Sequence, residues 1–291
     1  MTGPRSGAAI VTGFVVWLVA APVVGALLAP AVHVLVGALG LDAPFQKVAF
    51  RTMQVASILA LVPLLRWLGL RGRVAWGLGA GPGPRPFAAA LLAGIAMLAL
   101  VGVCHLWLGT RVPRADVEDL GVAVLVGLAK GLVTGLVVAL VEEAWFRGAL
   151  HSYWRSGGGR GMAIWVPSVL YAVVHFVRPD VQVADSAVAW ASGLAVLAGG
   201  FSRLADPEVA GPMVALVLAG AMLGSLRERS GAIWLCIAVH AGWVAAIRAI
   251  KAATTGAPDA ALAMLATGYD GIVGWLAVPV LALALWCVSR R

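Results

Sequence analysis

A few ionisable side chains lie inside long apolar stretches of this sequence, where they could perform acid–base chemistry. The segment LVEEAWFRGALHSYW (140–154) places Glu142 and Glu143 after a long apolar run, and Arg147 follows four residues after Glu143. On a helix, Glu143 and Arg147 are i,i+4 neighbours and can pair. Glu142 lies about 100° away around the helix, so it cannot share that partner equally well. The spacing therefore predicts one carboxylate held by the arginine and one with a freer proton.

Two helical histidines accompany the glutamates. His175 ends the run VPSVLYAVVHF, and His240 lies in the middle of SGAIWLCIAVHAGWV. Either histidine alone is more typical of a satisfied core residue than of a catalytic one. At about 1.5 Å per residue, Glu142, His175 and His240 each lie about 15–20 Å from the same predicted side of the membrane. The set therefore indicates one constellation, because ionisable groups inside a bilayer usually mark function.

The elements that must position these groups are transmembrane helices. A bilayer core of about 30 Å needs about 20 mostly apolar residues per helix, and eight segments qualify. Residues 187–200 are apolar but short for a span, and we interpret them as a re-entrant or interfacial piece. GLVTG (131–135) has the small-xxx-small spacing typical of close helix packing. The eight predicted spans are 8–37, 48–69, 86–109, 120–150, 162–178, 209–226, 231–250 and 271–289.

Charge distribution predicts the orientation of these helices. Under the eight-span interpretation, most Lys and Arg residues fall on one side, including the terminal Arg5 and Arg291, and most acidic residues fall on the other. Lys and Arg accumulate in cytoplasmic loops, so both termini are expected in the cytoplasm. The fold class predicted is an all-α polytopic membrane helix bundle of about eight transmembrane helices, forming a single integral-membrane domain over residues 1–291.

Composition excludes several classes of protein. The chain of 291 residues is 62% hydrophobic and 12% charged, against about 45–50% and about 25% in soluble domains, which excludes a water-soluble enzyme. The net charge of +8 fits cytoplasmic loops, and no basic–aromatic stripe indicates nucleic-acid binding. Cys104, Cys236 and Cys287 lie in apolar stretches without the spacing of a disulfide framework or a zinc site.

The motif EEAWFRG (142–148), the helical His175 and the segment SGAIWLCIAVHAGW (230–243) together resemble the CPBP family. That family contains CAAX-processing endopeptidases and abortive-infection-type proteins. The resemblance covers roughly residues 120–250, which would form the catalytic core. It implies a glutamic intramembrane endopeptidase, a hydrolase that cleaves a membrane-embedded or lipid-anchored protein near its C-terminus.

The resemblance also implies roles for individual residues. Glu142 would be the general base that activates water, supported by Glu143 and Arg147. His175 would position or activate that water, and His240 would stabilise the oxyanion. No cofactor is expected; zinc ligation by these Glu and His side chains is chemically feasible, but a metal-independent reaction is favoured.

The sequence departs from the family pattern at two positions. Tyr171 stands where the family usually has Phe, which is a mild change. Val244 stands where the family usually has Asn, and loss of an oxyanion donor elsewhere costs about 10²–10³ in rate. Another donor would have to substitute, such as Trp243 or a backbone N–H, or catalysis would be impaired.

Two further functions compete with the peptidase. A non-catalytic member of the same family would bind a membrane partner as an immunity or maturation factor. A proton-coupled transporter would use the same Glu and His side chains as a relay, but transporters usually show internal pseudo-symmetry, which the sequence lacks. For each of these functions the lipid bilayer is an expected partner and nucleic acid is not. The expected location is a bacterial cytoplasmic (inner) membrane.

Overall fold

The computed structural model describes residues 6–178, 180–265 and 269–290. Arg5 and Arg291, two of the charges used for the orientation, lie outside the described residues. The helices are α1 (Gly7–Ala38), α2 (Phe45–Trp67), α3 (Gly72–Ala75), α4 (Pro84–Trp107), α5 (Leu120–Glu143), α6 (His151–Arg155), α7 (Gly159–Phe176), α8 (Ser192–Gly199), α9 (Ala210–Ser230), α10 (Trp234–Ala253) and α11 (Ala277–Ser289). A π-helix (Ala144–Leu150) joins α5 to α6, and short 3₁₀ turns cover Asp185–Ala187, Ser202–Ala205, Pro207–Val209 and Ala263–Leu265.

The all-α membrane fold class predicted from the sequence is confirmed. Among the residues that the structure describes, the only strands are β1 (Arg111–Pro113) and β2 (Thr254–Gly256), which pair antiparallel. Six helical segments there are long and apolar enough to cross a membrane: Gly7–Ala38, Phe45–Trp67, Pro84–Trp107, Leu120–Arg155, Pro207–Ser230 and Trp234–Ala253. The protein is therefore a helical integral-membrane protein.

Two of the eight predicted spans are not among these six segments. The segment predicted at 162–178 forms α7, which has 18 residues, and the segment predicted at 271–289 forms α11, which has only 13. At about 1.5 Å per residue, α11 is about 20 Å long, shorter than a bilayer core of about 30 Å. The count of eight and the cytoplasmic location of both termini stay predictions.

Local sequence signals set several helix ends. Ser6 and Asp119 cap α1 and α5, because their side-chain oxygens accept hydrogen bonds from the backbone N–H groups of Ala9 and Val122. Gly231 ends α9 with φ of 70°, a left-handed conformation that glycine adopts without steric cost. The chain then turns directly into α10.

The chain divides into two compact units. One comprises Met1–Arg71, Tyr153–Gly159 and Val173–Asp206, and the other comprises Gly72–Ser152, Arg160–Ala172 and Pro207–Arg291. The single domain over residues 1–291 stays a prediction.

In the first unit, α1, α2 and α8 share a core. Segment 187–200, predicted as re-entrant or interfacial, contains the eight-residue helix α8, about 12 Å long and too short to span a bilayer. It lies close against α1, since a Cβ on Gly193 would be 1.9 Å from the carbonyl oxygen of Ala26. The buried core residues are Ala26, Ala29, Phe45, Ala49, Met53 and Val196.

In the second unit, α10 packs closely against both α5 and α4 because glycines remove the side chains at the crossings. A Cβ on Gly131 would lie 2.7 Å from the Cα of Ala245, and one on Gly135 would lie 2.8 Å from the carbonyl oxygen of Ala241. The GLVTG spacing therefore serves helix packing, as the sequence predicts. On the side of α4, a Cβ on Gly242 would lie 2.3 Å from the carbonyl oxygen of Leu91.

The loops at the far end of α10 are tied together by Arg111. Its guanidinium donates to the side-chain and backbone oxygens of Thr254 at 2.8 and 2.7 Å and to the carbonyl oxygen of Gly271 at 3.1 Å. Burial lowers the pKa of Arg111 from its ordinary value, and the nearby Asp270 carboxylate opposes that shift. The side chain thus joins β1, β2 and the chain that precedes α11.

Candidate active site

The two glutamates end α5 at the point where the chain changes to a π-helix. Glu143 is the last residue of α5, and Arg147 lies in the π-helical turn Ala144–Leu150. Such single π-turns are frequent at functional sites. Gly148, the glycine of the EEAWFRG motif, packs where a Cβ would lie 2.3 Å from the carbonyl oxygen of Trp76. Its lack of a side chain therefore lets the π-turn sit against the loop after α3.

Glu143 is the buried centre of the site. Its side chain has 0% exposure, and its Oε1 atom accepts a hydrogen bond from Nη1 of Arg147 at 3.1 Å. The same Oε1 lies 2.8 Å from Nδ1 of His240 on α10. A carboxylate bonded to a guanidinium is an acceptor, so Nδ1 of His240 is the donor in this second bond.

Glu142 occupies a different environment from its neighbour. Its side chain retains 28% exposure, and its Oε2 atom lies 3.9 Å from Nε2 of His240. That Oε2 atom has no hydrogen-bond partner among the described residues. The imidazole of His240 thus bridges the two carboxylates, with one ring nitrogen towards each.

Aromatic rings enclose the arginine. The guanidinium carbon of Arg147 lies 4.5 Å from the ring centroid of Tyr171 and 5.6 Å from that of Phe146. Tyr171 also meets His240 edge to face, with ring centroids 6.3 Å apart. Cation–π contacts of this kind are worth about 2 kcal/mol or more when desolvated. The rings therefore hold Arg147 in the orientation that faces Glu143.

The site balances its charge if His240 is protonated. Glu142 and Glu143 contribute two negative charges and Arg147 one positive charge, and an imidazolium makes the set neutral. Uncompensated charge is costly in a low-dielectric interior. A doubly protonated ring also allows Nδ1 to donate to Glu143 while Nε2 points a donor towards the neighbourhood of Glu142.

Residues 123–246 match the family model described as type II CAAX prenyl endopeptidase, Rce1-like. This segment of the chain is similar to the Rce1-like family. The match lies within residues 120–250, which the sequence resemblance covers, and includes Glu142, Glu143, Arg147, His175 and His240. The family model describes CAAX prenyl endopeptidases, and the apolar helices of this chain are consistent with such a membrane enzyme. No curated protein and no solved structure matches the chain.

The structure brings together four of the five predicted site residues: Glu142, Glu143, Arg147 and His240 lie in one compact unit. His175 belongs to the other unit, where it is half-buried in the last turn of α7. Its role as a water-positioning group stays a prediction.

Val244 is apolar and lies at the interface between α10 and α5. Its Cβ atom lies 3.0 Å from the position that a Cβ on Gly135 would take. Gly135 precedes Glu142 by about two helical turns, or about 10 Å along α5. The apolar side chain therefore packs in the α5–α10 crossing.

Sequence reasoning missed two features of this site. The hydrogen bond between Glu143 and His240 joins residues 97 positions apart, and no local periodicity indicates which helices are neighbours. The sequence also did not predict the contact between the Tyr171 ring and Arg147, although it shows an aromatic residue one turn before His175. The i,i+4 pairing of Glu143 with Arg147, in contrast, follows directly from spacing.

Catalytic zinc takes three protein ligands. Of the groups around His240, Nδ1 is hydrogen-bonded to Glu143 and Nε2 faces Glu142 at 3.9 Å. Within the described ranges, no group of three or more His, Cys, Asp or Glu side chains is arranged to hold a metal ion.

Proposed function

We propose that this protein is an intramembrane endopeptidase that hydrolyses a peptide bond with a water activated by Glu142. The observation that carries this proposal is the position of His240 between two carboxylates, with Nδ1 bonded to Glu143 and Nε2 facing Glu142. The Glu143 carboxylate is buried and bonded through Oε1 to Arg147 and His240, whereas Glu142 is partly exposed and its Oε2 atom has no partner among the described residues. That division suits one structural and one reactive carboxylate.

The reaction begins when Glu142 accepts a proton from a water that lies near its Oε2 atom. The resulting hydroxide adds to the carbonyl carbon of the scissile peptide and forms a tetrahedral oxyanion. The carbon–nitrogen bond then breaks, and the protonated Glu142 returns its proton to the leaving amine. General acid–base catalysis of this kind contributes typically about 10²–10⁴ in rate.

His240 stabilises the oxyanion through the N–H at Nε2. Glu143 fixes the ring by accepting from Nδ1, which keeps the other nitrogen pointed into the site. Arg147 donates to the same carboxylate and pairs with its charge. Charge in a low-dielectric site of this type acts strongly on the transition state.

His175 positions the attacking water in this proposal, a role that rests on the resemblance and on its place in the family segment. No metal takes part, since Glu142 supplies the base and His240 the electrophilic group. The hydrogen bond from Nδ1 of His240 to Glu143 supports the electrophilic role of the histidine.

The substrate is a membrane-embedded or lipid-anchored protein cleaved near its C-terminus. The family description names CAAX prenyl endopeptidases, which supports a substrate held at the membrane. A bacterial cytoplasmic membrane is the proposed location.

The test compares the termini of membrane proteins in cells that carry wild-type or Glu142→Gln protein at matched levels. The amide has nearly the same shape as the carboxylate but cannot take a proton from water. New termini should appear only with the wild-type protein, and the variant should accumulate normally. Glu118→Gln, at an exposed loop position, is the matched control and should cleave like wild type.

Two results would overturn the proposal. Near-normal cleavage by Glu142→Gln would show that this carboxylate is not the base. Identical termini with and without the wild-type protein, with folded and abundant protein in both, would instead favour a non-catalytic factor that binds a membrane partner.

A further inference from the structure

The site contains buried polar atoms that the protein itself leaves without partners. Among the described residues, no hydrogen-bond partner exists for Oε2 of Glu142, Oε2 of Glu143, Nη2 of Arg147 or Nε1 of Trp243. Buried polar groups in native proteins are nearly always hydrogen-bonded, so such a group calls for an explanation such as water or a ligand. Two of these atoms are acceptors and two are donors.

The indole N–H of Trp243 is a hydrogen-bond donor that has no role in the proposed mechanism. It lies on α10 three residues after His240, and the two ring centroids are 6.1 Å apart. Its side chain is nearly fully buried, at 6% exposure. An indole N–H can only donate a hydrogen bond, and buried tryptophans usually find an acceptor for it.

A second tryptophan on the same helix shows the ordinary behaviour. The indole N–H of Trp234 donates to the carbonyl oxygen of Gly79 at 2.9 Å. Helix α10 thus carries one indole that donates to a protein carbonyl and one, buried beside His240, that has no acceptor in the described part of the chain.

We propose that the indole N–H of Trp243 is a second donor to the oxyanion, acting together with Nε2 of His240. This inference rests on the proposed function. A peptide carbonyl gains negative charge only as the tetrahedral intermediate forms, so a fixed donor aimed at that oxygen stabilises the transition state more than the bound substrate.

The other candidate donors are less suitable. Arg147 is stacked on Tyr171 and bonded to Glu143. Moving its guanidinium away towards a substrate would leave the buried Glu143 carboxylate without its cation. Val244, one residue further along α10, is apolar and packs at the position of Gly135. Trp243 is therefore the neutral donor next to His240 that is available to the substrate.

The test measures cleavage by purified full-length protein in phosphatidylcholine vesicles. The substrate is a synthetic peptide spanning a junction that the wild-type protein cleaves in the comparison of termini. Trp243→Phe keeps an aromatic ring but removes the N–H, and it should lower kcat about 10²–10³-fold with little change in KM. Its abundance should match wild type, because the change removes a donor that has no acceptor among the described residues.

Trp234→Phe is the matched control, and the opposite pattern is expected. It should keep kcat and lower thermal stability, because the carbonyl oxygen of Gly79 loses its donor. Replacement of Trp243 by benzothienylalanine, which preserves the bicyclic shape without an N–H, repeats the test if Trp243→Phe does not accumulate. It should lose activity to the same extent.

Retention of kcat within about twofold of wild type by either Trp243 variant would overturn the inference and make the indole a packing residue. The proposed function would survive that result as long as Glu142→Gln remains inactive. Absence of any cleavage by the wild-type protein would overturn both.

Discussion

Oε1 of Glu143 lies 2.8 Å from Nδ1 of His240, although the two residues are 97 positions apart in the chain. The contact exists because α5 and α10 approach closely at a row of glycines, Gly127, Gly131 and Gly135, which face α10 four residues apart. Bringing the two backbones together places the end of α5 beside the middle of α10. The close helix crossing is therefore a condition for assembling the site.

Gly135→Ala should weaken both the crossing and the site. The new Cβ would lie 2.8 Å from the carbonyl oxygen of Ala241, a backbone atom that cannot move without shifting α10. Overpacking of this kind costs about 1–3 kcal/mol. We expect a lower melting temperature and slower cleavage, measured by thermal denaturation in detergent and by peptide hydrolysis in vesicles.

Gly161→Ala is the control for that substitution. A Cβ at Gly161, in α7, meets nothing within 4 Å, so the alanine should leave stability unchanged or raise it slightly through its better helix propensity. Equal behaviour of the two variants would show that the crossing tolerates the added methyl group.

Arg147→Ala should reduce accumulation in the membrane as well as activity. It leaves Glu143, with 0% side-chain exposure, without its cationic partner, and breaking a buried pair costs about 3–5 kcal/mol. Quantitative immunoblotting of membrane fractions measures the loss. The double variant Arg147→Leu/Glu143→Leu should recover part of the abundance but none of the activity, because it removes the buried charges together.

Arg114→Ala provides the exposed comparison. Arg114 pairs with Asp116 at the surface and holds the pKa of that carboxyl below its ordinary value. Exposed pairs contribute little to stability, so accumulation should equal that of wild type. An equal loss for Arg114→Ala and Arg147→Ala would contradict the importance of burial.

Tyr171→Leu should impair the site more than Tyr171→Phe. The phenylalanine keeps the ring on which the guanidinium of Arg147 lies at 4.5 Å, whereas leucine removes the cation–π contact, worth about 2 kcal/mol in a desolvated setting. The prediction is a larger fall in both melting temperature and kcat for leucine. If both variants fell equally, the phenol rather than the ring would be the important group.

Arg111→Lys should destabilise the protein without changing its catalysis. Arg111 donates through three nitrogens to Thr254 and Gly271, and a lysine cannot reproduce that fork. The expected loss is about 2 kcal/mol of stability, measured by denaturation, with kcat per folded molecule unchanged. A fall in kcat at equal folded amount would show that the β1–β2 connection influences the site.

The sequence by itself determined the features that depend on local composition and spacing. Long apolar runs identified the six helical segments of the described structure that are long and apolar enough to cross a membrane, although two further runs form helices of 18 and 13 residues that are not among those six. The four-residue interval placed Arg147 beside Glu143, and the interval of GLVTG placed Gly131 and Gly135 on one face of α5. These follow because a helix repeats every 3.6 residues wherever it occurs.

Only the tertiary structure decided that α10 supplies the second partner of Glu143 and that Val244 packs at the position of Gly135. It also decided that the indole of Trp243, among the described residues, is left without an acceptor. Each depends on which helices are neighbours and on how closely they approach, and apolar side chains of similar hydrophobicity permit many pairings. The final pairing is selected by shape, through glycines at the crossings of α10 with α4 and α5. Such complementarity between distant segments has no signature in the spacing of either segment alone, because it is a property of two surfaces in contact.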